Sequence, residues 1–96
     1  MEEKIQLQHP AGKHAFRIDK NKYDVIKKAI LRSLKSGELT HTEMLNALLA
    51  DFKKNKTKFE GAVEWYMEGV KLDLEATKTI ERIIGKPPRW KKAAQK

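Results

Sequence analysis

Residues 82–96 contain the side chains whose chemistry is easiest to name: six are lysine or arginine and none is acidic. Clustered cationic side chains neutralise phosphate groups, and such binding weakens with salt and depends little on base sequence. Lysine-rich chain ends also occur simply because net charge keeps proteins soluble. The cations around Trp90 are therefore a candidate phosphate-binding site, and its members are Lys86, Arg89, Lys91 and Lys92.

Catalytic and metal-binding chemistry has little support in the sequence. The histidines His9, His14 and His41 do not have the spacing of a zinc site, and the chain has no cysteine. Neither a glycine-rich phosphate loop nor a nucleophile–base pair can be identified. Asp73 is the one carboxylate in an unusual position, and it lacks a second group to act with. We therefore expect a protein that is not an enzyme, without catalytic residues, metal or cofactor.

Composition indicates one folded domain. Of 96 residues, 40% are hydrophobic and 35% charged, and the net charge is +8. The N-terminus lacks the apolar core of a signal peptide, and no run approaches the roughly 18 apolar residues of a membrane span. The excess positive charge lies in residues 19–37 and 82–96, whereas residues 60–81 are acidic. We expect a cytoplasmic domain over residues 1–96, with a basic tail from about residue 91 and no membrane partner.

The spacing of apolar residues places these side chains on predicted elements. Two alternating segments separated by proline and glycine predict an N-terminal β-hairpin, and Thr40 with Glu43 has the spacing of a helix capping box. The stretch "GKPP" predicts a turn between two C-terminal strands. The predicted order is strand 4–8, strand 14–18, helix 20–35, a loop or short strand at 38–40, a helix from Thr40 to a turn at 53–58, a helix from about 59–61 to 77, strand 79–84, and a return strand beginning at Arg89 and Trp90.

This order predicts an α+β fold: a winged helix-turn-helix of three helices and a C-terminal β-wing, with an added N-terminal β-hairpin. Trp90 is expected to pack against the strand at 79–84 or the hairpin, because a tryptophan buries up to about 250 Å². Helical spacing assigns five residues of the second helix to the core: Met44, Leu45, Leu48, Leu49 and Phe52.

The third helix is unusually apolar. At about 100° per residue, its apolar side chains fill an arc of about 220°. Trp65 and Leu72 lie at one edge of that arc, and we expect them to stay partly exposed as a partner surface or self-association patch. Asp73 falls inside the arc, so we expect it to be buried with a hydrogen-bonding or cationic partner.

The polar strip of the third helix is narrow and mainly acidic. A recognition helix reads base edges mostly with arginine, lysine, asparagine and glutamine, whereas phosphates repel carboxylates. We therefore expect this strip to be a solvated salt-bridge face and not a DNA-reading surface. Its members are spaced three or four residues apart so that opposite charges pair: Glu64, Glu68, Lys71, Glu75 and Lys78.

Three stretches carry a family resemblance: "HPAGKHAFRIDKNKYDVIKKAIL", "LTHTEML" and "WYMEGVKLDLEATKTIERIIGKPPRW". Together they resemble a small bacterial family of unknown function with a winged-helix-like fold. The resemblance covers nearly the whole chain, and it implies a fold and no activity. Winged-helix domains usually have glycine where the third helix turns into its strand, whereas this sequence has Lys78. A left-handed conformation there would cost about 1 kcal/mol relative to glycine.

Two functions are compatible with these patterns. One is a small DNA-binding or transcription-regulator-like module that contacts double-stranded DNA weakly and salt-sensitively through the cations around Trp90. The alternative is a non-enzymatic domain that keeps the winged-helix fold and binds a protein partner or a second copy through Trp65 and Leu72. One basic face formed by the first helix, the 53–58 loop and the tail would favour DNA. An exposed Trp65–Leu72 patch with scattered lysines would favour a protein partner.

Overall fold

Three helices and two small antiparallel sheets make up the described part of the chain, which comprises residues 4–8, 14–35 and 37–93 of a computed structural model. The predicted α+β class is therefore confirmed. In chain order the elements are β1 (Lys4–Gln8), β2 (His14–Asp19), α1 (Lys20–Ser33), β3 (Leu39–Thr40), α2 (His41–Lys54), α3 (Val63–Ala76), β4 (Ile80–Ile83) and β5 (Arg89–Lys92).

The two N-terminal strands form a sheet that packs on α3. β1 and β2 are antiparallel, and the buried residues Leu7 and Ile18 face the core. A Cβ atom at Gly69 of α3 would lie 2.9 Å from Leu7 Cδ1, so this approach depends on the absence of a side chain. The turn predicted at 9–13, which includes His9, lies outside the described residues.

The capping box predicted at the start of α2 is confirmed. Thr40 Oγ1 accepts a hydrogen bond from the Glu43 amide at 3.2 Å, and Glu43 Oε1 accepts one from the Thr40 amide at 2.9 Å. These bonds satisfy amides that the first turn of a helix leaves without partners. They also place His41 at the first helical position, directly after β3.

The second sheet has three strands in the order β3-β5-β4. Leu39 of β3 pairs with Trp90, and Arg82 of β4 pairs with Trp90 from the other side. The segment at 38–40, for which the sequence allowed a loop or a short strand, therefore contributes a strand. β5 is central in this sheet, and its residues are held by hydrogen-bonded neighbours on both edges.

The end of α3 places a non-glycine residue in a left-handed conformation. Lys78 has φ 62°. Its amide bonds to the Glu75 carbonyl at 3.0 Å, and the Thr79 amide bonds to the Leu74 carbonyl at 2.8 Å. This pair of bonds is the Schellman arrangement that closes a helix and starts a reversal of direction. The chain thus makes the turn into β4 with lysine in a position that favours glycine.

The core lies where the three helices meet the inner faces of both sheets. The prediction that Leu49 belongs to the core is wrong, because Leu49 is 47% exposed while Met44, Leu48 and Phe52 are buried. α2 packs on α1 and α3. Leu49 lies about 100° around the helix from Leu48, on the side that faces away from both neighbours.

Asp73 is buried, as predicted, with 4% of its surface exposed. Its Oδ2 accepts a 2.6 Å hydrogen bond from the hydroxyl of Tyr23 on α1. Burial raises the pKa of Tyr23 above its usual range, and the hydrogen bond to Asp73 and its negative charge act in the same direction. The bond therefore joins α1 to α3 through two polar groups that would otherwise be costly to remove from water.

Replacing Asp73 with alanine should lower the free energy of unfolding by about 1–3 kcal/mol, because the Tyr23 hydroxyl loses its acceptor in a buried place. The measurement is urea denaturation of Asp73→Ala, Tyr23→Phe and the double variant. The double variant should lose less than the sum of the single losses, because the two groups share one bond. An Asp73→Ala protein as stable as the wild type would contradict the role assigned to this pair.

Candidate functional site

The candidate phosphate-binding cations are all exposed, and they lie along β5 and the turn that precedes it. Lys86 lies in the turn between β4 and β5, and the other three lie on β5. Side chains alternate along a strand, so Arg89 and Lys91 share the face opposite Trp90, whereas Lys92 lies on the Trp90 face at the strand end. The structure thus brings Arg89 and Lys91 onto one surface and separates Lys92 from them.

Two of these cations lie close to carboxylates. Lys91 Nζ is 3.8 Å from Glu81 Oε2 across the β4–β5 pair. The pKa of Glu43 is lowered mainly by hydrogen bonds from Thr40, and the positive charge of Arg89 adds to this effect. Within the described residues, no carboxylate lies within ion-pair distance of Lys86, Arg89 or Lys92. Those three charges are directed to solvent.

Trp90 fixes the strand that carries these cations. It is 3% exposed, and its Nε1–H donates to Glu75 Oε1 of α3. Its ring packs beneath Lys71 Nζ, 3.8 Å from the ring centroid, and beside Arg82 of β4. The prediction that Trp90 packs on the domain is confirmed: its backbone pairs with Arg82 of the 79–84 strand, and its ring packs on α3 and not on the N-terminal hairpin. Because one side of β5 is anchored in the core, the cations on its other side have a defined position.

Lys71 departs from the sequence prediction, which put it on a solvated strip. It is buried, with 2% of its surface exposed. Its Nζ lies 2.9 Å from His41 Nδ1 and 3.2 Å from Glu68 Oε2. Burial lowers the pKa of Lys71, and the nearby carboxylates of Glu68 and Glu75 oppose that shift. In place of hydration water, the ammonium group therefore contacts an aromatic ring, an imidazole and a carboxylate.

His41 connects the start of α2 to the acidic strip of α3. Its Nε2 lies 3.1 Å from Glu64 Oε2, and its Nδ1 lies 3.3 Å from Glu68 Oε2. Sequence spacing located His41 at a helix start, but no local signal indicated that α3 would supply its partners. No group of three or more His, Cys, Asp or Glu residues in the described ranges is arranged to hold a metal ion.

The predicted partner surface is partly covered. Trp65 is 46% exposed and packs edge-on against Tyr66, with ring centroids 4.9 Å apart. Leu72 is only partly exposed. Gly69 lies between them along the same helical edge, and Leu7 of β1 packs there. The N-terminal sheet therefore occupies the centre of the edge that joins Trp65 and Leu72.

A second basic region lies where the start of α1 meets the segment before α3. Lys22 of α1 and Lys58 border a groove of about 260 Å³ beside Phe59. Lys22 Nζ lies 5.2 Å from the ring centroid of Tyr66 and 3.4 Å from its hydroxyl. The first helix and the 53–58 segment thus converge, while β5 belongs to a sheet that packs on α2 and α3.

Comparison with known proteins places the chain in a family. The profile of a family of unknown function, DUF6958, matches residues 4–90. The chain belongs to that family. The family match begins at β1 and ends at Trp90, so Lys91 and Lys92 lie outside it. No curated protein and no solved structure matches the chain.

None of the helices in the described ranges is both long enough and apolar enough to span a membrane.

Lys71→Ala should lower the free energy of unfolding by about 2–5 kcal/mol, because it removes the buried Cγ, Cδ and Cε atoms with the ammonium group and leaves a cavity beside Trp90. Lys71→Met should cost less, because it fills that space and removes the need to bury an ammonium group. Urea denaturation at neutral pH measures both.

An exposed lysine on α1 provides the control for these variants: Lys28→Ala should change stability by no more than about 0.5 kcal/mol. If Lys71→Met were as destabilising as Lys71→Ala, the polar contacts of the ammonium group would outweigh the packing of its stem.

Proposed function

We propose that this chain is a non-enzymatic winged-helix module of the cytoplasm that binds double-stranded DNA through phosphate contacts. The order α1, β3, α2, α3, β4, β5 supports the winged-helix assignment, with β4, its turn and β5 as the wing. The net charge of +8 supports an anionic partner. The binding groups in this proposal are Lys86, Arg89, Lys91 and Lys92.

The observation that carries the proposal is the exposure of Arg89 and Lys91 on the face of β5 opposite buried Trp90, with Lys86 in the preceding turn and Lys92 at the strand end. Lys86, Arg89 and Lys92 have no carboxylate within ion-pair distance in the described part of the chain. Cations whose backbone is held in a sheet lose less conformational entropy on meeting a phosphate than cations on a free chain end. Phosphate contacts position a protein on DNA without reading its sequence.

The acidic surface of α3 defines what kind of DNA binding is proposed. Glu64 and Glu68 project from the helix that would have to enter the major groove, and both contact His41. Carboxylates in that position repel the phosphates on either side of the groove. The proposed binding is therefore weak, dependent on salt and nearly independent of base sequence, with contacts at the wing.

A salt series tests this proposal. Fluorescence anisotropy with an arbitrary duplex should show affinity falling with salt at a slope of about −0.9 for each phosphate neutralised. Neutralising the wing, with glutamine at positions 86, 89, 91 and 92, should flatten that slope. Glu64→Gln should strengthen binding only slightly and create no base preference, because it removes repulsion without adding a base contact.

A matched control separates the wing from total charge. Four exposed lysines away from the wing can be changed to glutamine with the same loss of charge: Lys28, Lys35, Lys53 and Lys54. This variant should keep most of the wild-type salt slope. Equal losses in both variants, or no duplex binding by the folded wild type at low salt, would exclude the wing as a DNA site.

Trp65 favours a second candidate, a domain that associates with itself. Nearly half of its surface is exposed, and large exposed aromatic side chains are typical of protein contact surfaces. Leu72 lies on the same edge of α3 and is partly exposed, but the residue that β1 covers separates it from Trp65. Two copies that meet along this edge would bury both Trp65 rings and leave the wing cations outside the contact.

Sedimentation velocity at rising protein concentration tests self-association. The wild type should show an increasing average mass, and Trp65→Gln should remain a monomer because it removes the largest exposed ring from the contact. Leu49→Gln is the control, since Leu49 is equally exposed but lies on α2. A wild type that stays monomeric, or a Leu49→Gln variant that also loses association, would count against the patch.

A further inference from the structure

The groove between the start of α1 and the segment before α3 has the size of a site for one small ring. Its volume is about 260 Å³, and pockets that enclose drug-sized ligands have volumes of about 300–1,000 Å³. The groove therefore suits a flat ring with a short substituent and not a large cofactor. Its lining residues are Asn21, Lys22, Val25, Lys58, Phe59 and Glu60.

The exposure of these residues divides the groove into a floor and a rim. The residues of the floor are partly buried: Lys22, Val25 and Phe59. The residues of the rim are exposed: Asn21, Lys58 and Glu60. Sites for small molecules usually combine an apolar surface with a few polar groups at defined positions. This groove has that composition, because two of its floor residues are apolar and its other residues are polar or charged.

The ring of Phe59 in the floor is held by two other rings. It stacks on Phe52 with centroids 5.8 Å apart, and it meets Tyr66 edge to face with centroids 5.1 Å apart. Gly61 lets the chain pass close to Tyr66, since its φ is 113° and a Cβ atom there would lie 2.8 Å from Tyr66 Cε2. The apolar floor is therefore formed before a ligand arrives, which lowers the entropy cost of binding.

Lys22 supplies a positive charge beside this floor. Its Nζ lies 5.2 Å from the ring centroid of Tyr66 and 6.0 Å from that of Phe59, and it donates a hydrogen bond to the Tyr66 hydroxyl at 3.4 Å. An ammonium group has three N–H donors. In the described part of the chain, the other two have no hydrogen-bond partner, and no carboxylate lies within ion-pair distance. Lys22 can therefore donate to an anionic ligand.

The rim adds one cation and one carboxylate. Neither Lys58 nor Glu60 has an ion pair among the residues that the structure describes. Because Lys22 and Lys58 are positive and Glu60 is negative, the lining has one net positive charge. That excess matches a ligand with a single negative charge, such as a carboxylate, and Glu60 repels a ligand with more.

We propose that this groove binds a small aromatic carboxylate. The ring of the ligand packs on Phe59 and Val25, and its carboxylate accepts hydrogen bonds from Lys22 Nζ. Lys58 attracts the same carboxylate from the rim. The ligand contacts both α1 and the segment that connects α2 to α3. No residue of the wing takes part, so this site does not depend on DNA binding.

The test uses the whole chain labelled with ¹⁵N, and phenylacetate as the ligand. Titration followed by NMR should shift the amide resonances of Lys22 and Phe59 saturably, with a dissociation constant of about 1 mM or lower. The Lys86 and Lys91 amides of the wing should not shift. Absence of saturable shifts at Lys22 and Phe59 up to about ten times that concentration would overturn the proposal.

Two matched compounds separate the contributions of the ring and the charge. Acetate keeps the carboxylate and lacks the ring, whereas phenylacetamide keeps the ring and lacks the charge. Each should bind at least about ten-fold more weakly than phenylacetate, because each loses one of the two contacts. If either compound bound with the affinity of phenylacetate, the groove would recognise only charge or only apolar surface, and the proposal would be wrong.

Two charge variants of the groove test the electrostatic contacts. Glu60→Gln should tighten phenylacetate binding about two-fold or more, because it removes a repelling carboxylate. Lys22→Gln should weaken binding about ten-fold, because it removes the charged donor to the ligand. Glu38→Gln and Lys28→Gln make the same charge changes at exposed positions outside the groove, and both should retain wild-type affinity.

The Glu60 variant keeps the test decisive even if Lys22→Gln disturbs the fold. Lys22→Gln also loses the contact with Tyr66, so its amide spectrum must first show a folded protein. Glu60 is exposed and lies on the rim, and a gain of affinity cannot arise from misfolding. Equal affinities of Glu60→Gln and Glu38→Gln, or wild-type affinity in a folded Lys22→Gln protein, would overturn the assignment.

Discussion

The packing of Trp90 beneath the Lys71 ammonium group is the contact on which the rest of the arrangement depends. The two groups are 3.8 Å apart, and each is almost fully buried. An ammonium group removed from water needs substitutes for its hydration, and the indole face, His41 and Glu68 provide them. Trp90 is bonded in turn to Glu75. One cluster thus ties β5 to α3 and to the first residue of α2.

That cluster also determines which charges reach the surface. Glu64 and Glu68 of α3 are directed to His41, Glu68 also pairs with Lys71, and Glu75 accepts a hydrogen bond from Trp90, so most of the acidic strip contacts groups of the domain itself. The wing cations on β5 have few such partners. The acidic side chains thus gather around His41 and Lys71, whereas the exposed cations of the wing lie on β5 and the turn before it, which supports an anionic partner there.

α3 is enclosed on several sides, which explains an apolar arc wider than a three-helix domain requires. α1 packs on the side of Tyr66 and Asp73, β1 on the side of Gly69, and the three-stranded sheet on the side of Lys71. Each neighbour covers a different part of the helix surface. The N-terminal sheet therefore covers a side of α3 that a third layer of secondary structure would cover in a larger domain.

The sequence by itself determined the local features of this protein. The order of the elements, the capping box at Thr40, and the burial of Asp73 and Trp90 all follow from spacing, backbone chemistry and the cost of exposing or burying a side chain. The tertiary structure alone decided the burial of Lys71, the exposure of Leu49, the partners of His41 and the pairing of β3 with β5. A helical projection gives the direction in which a side chain points, but it does not give the element that packs against that side chain. The burial of Lys71, the exposure of Leu49 and the partners of His41 therefore depend on which distant segment packs on each helix face.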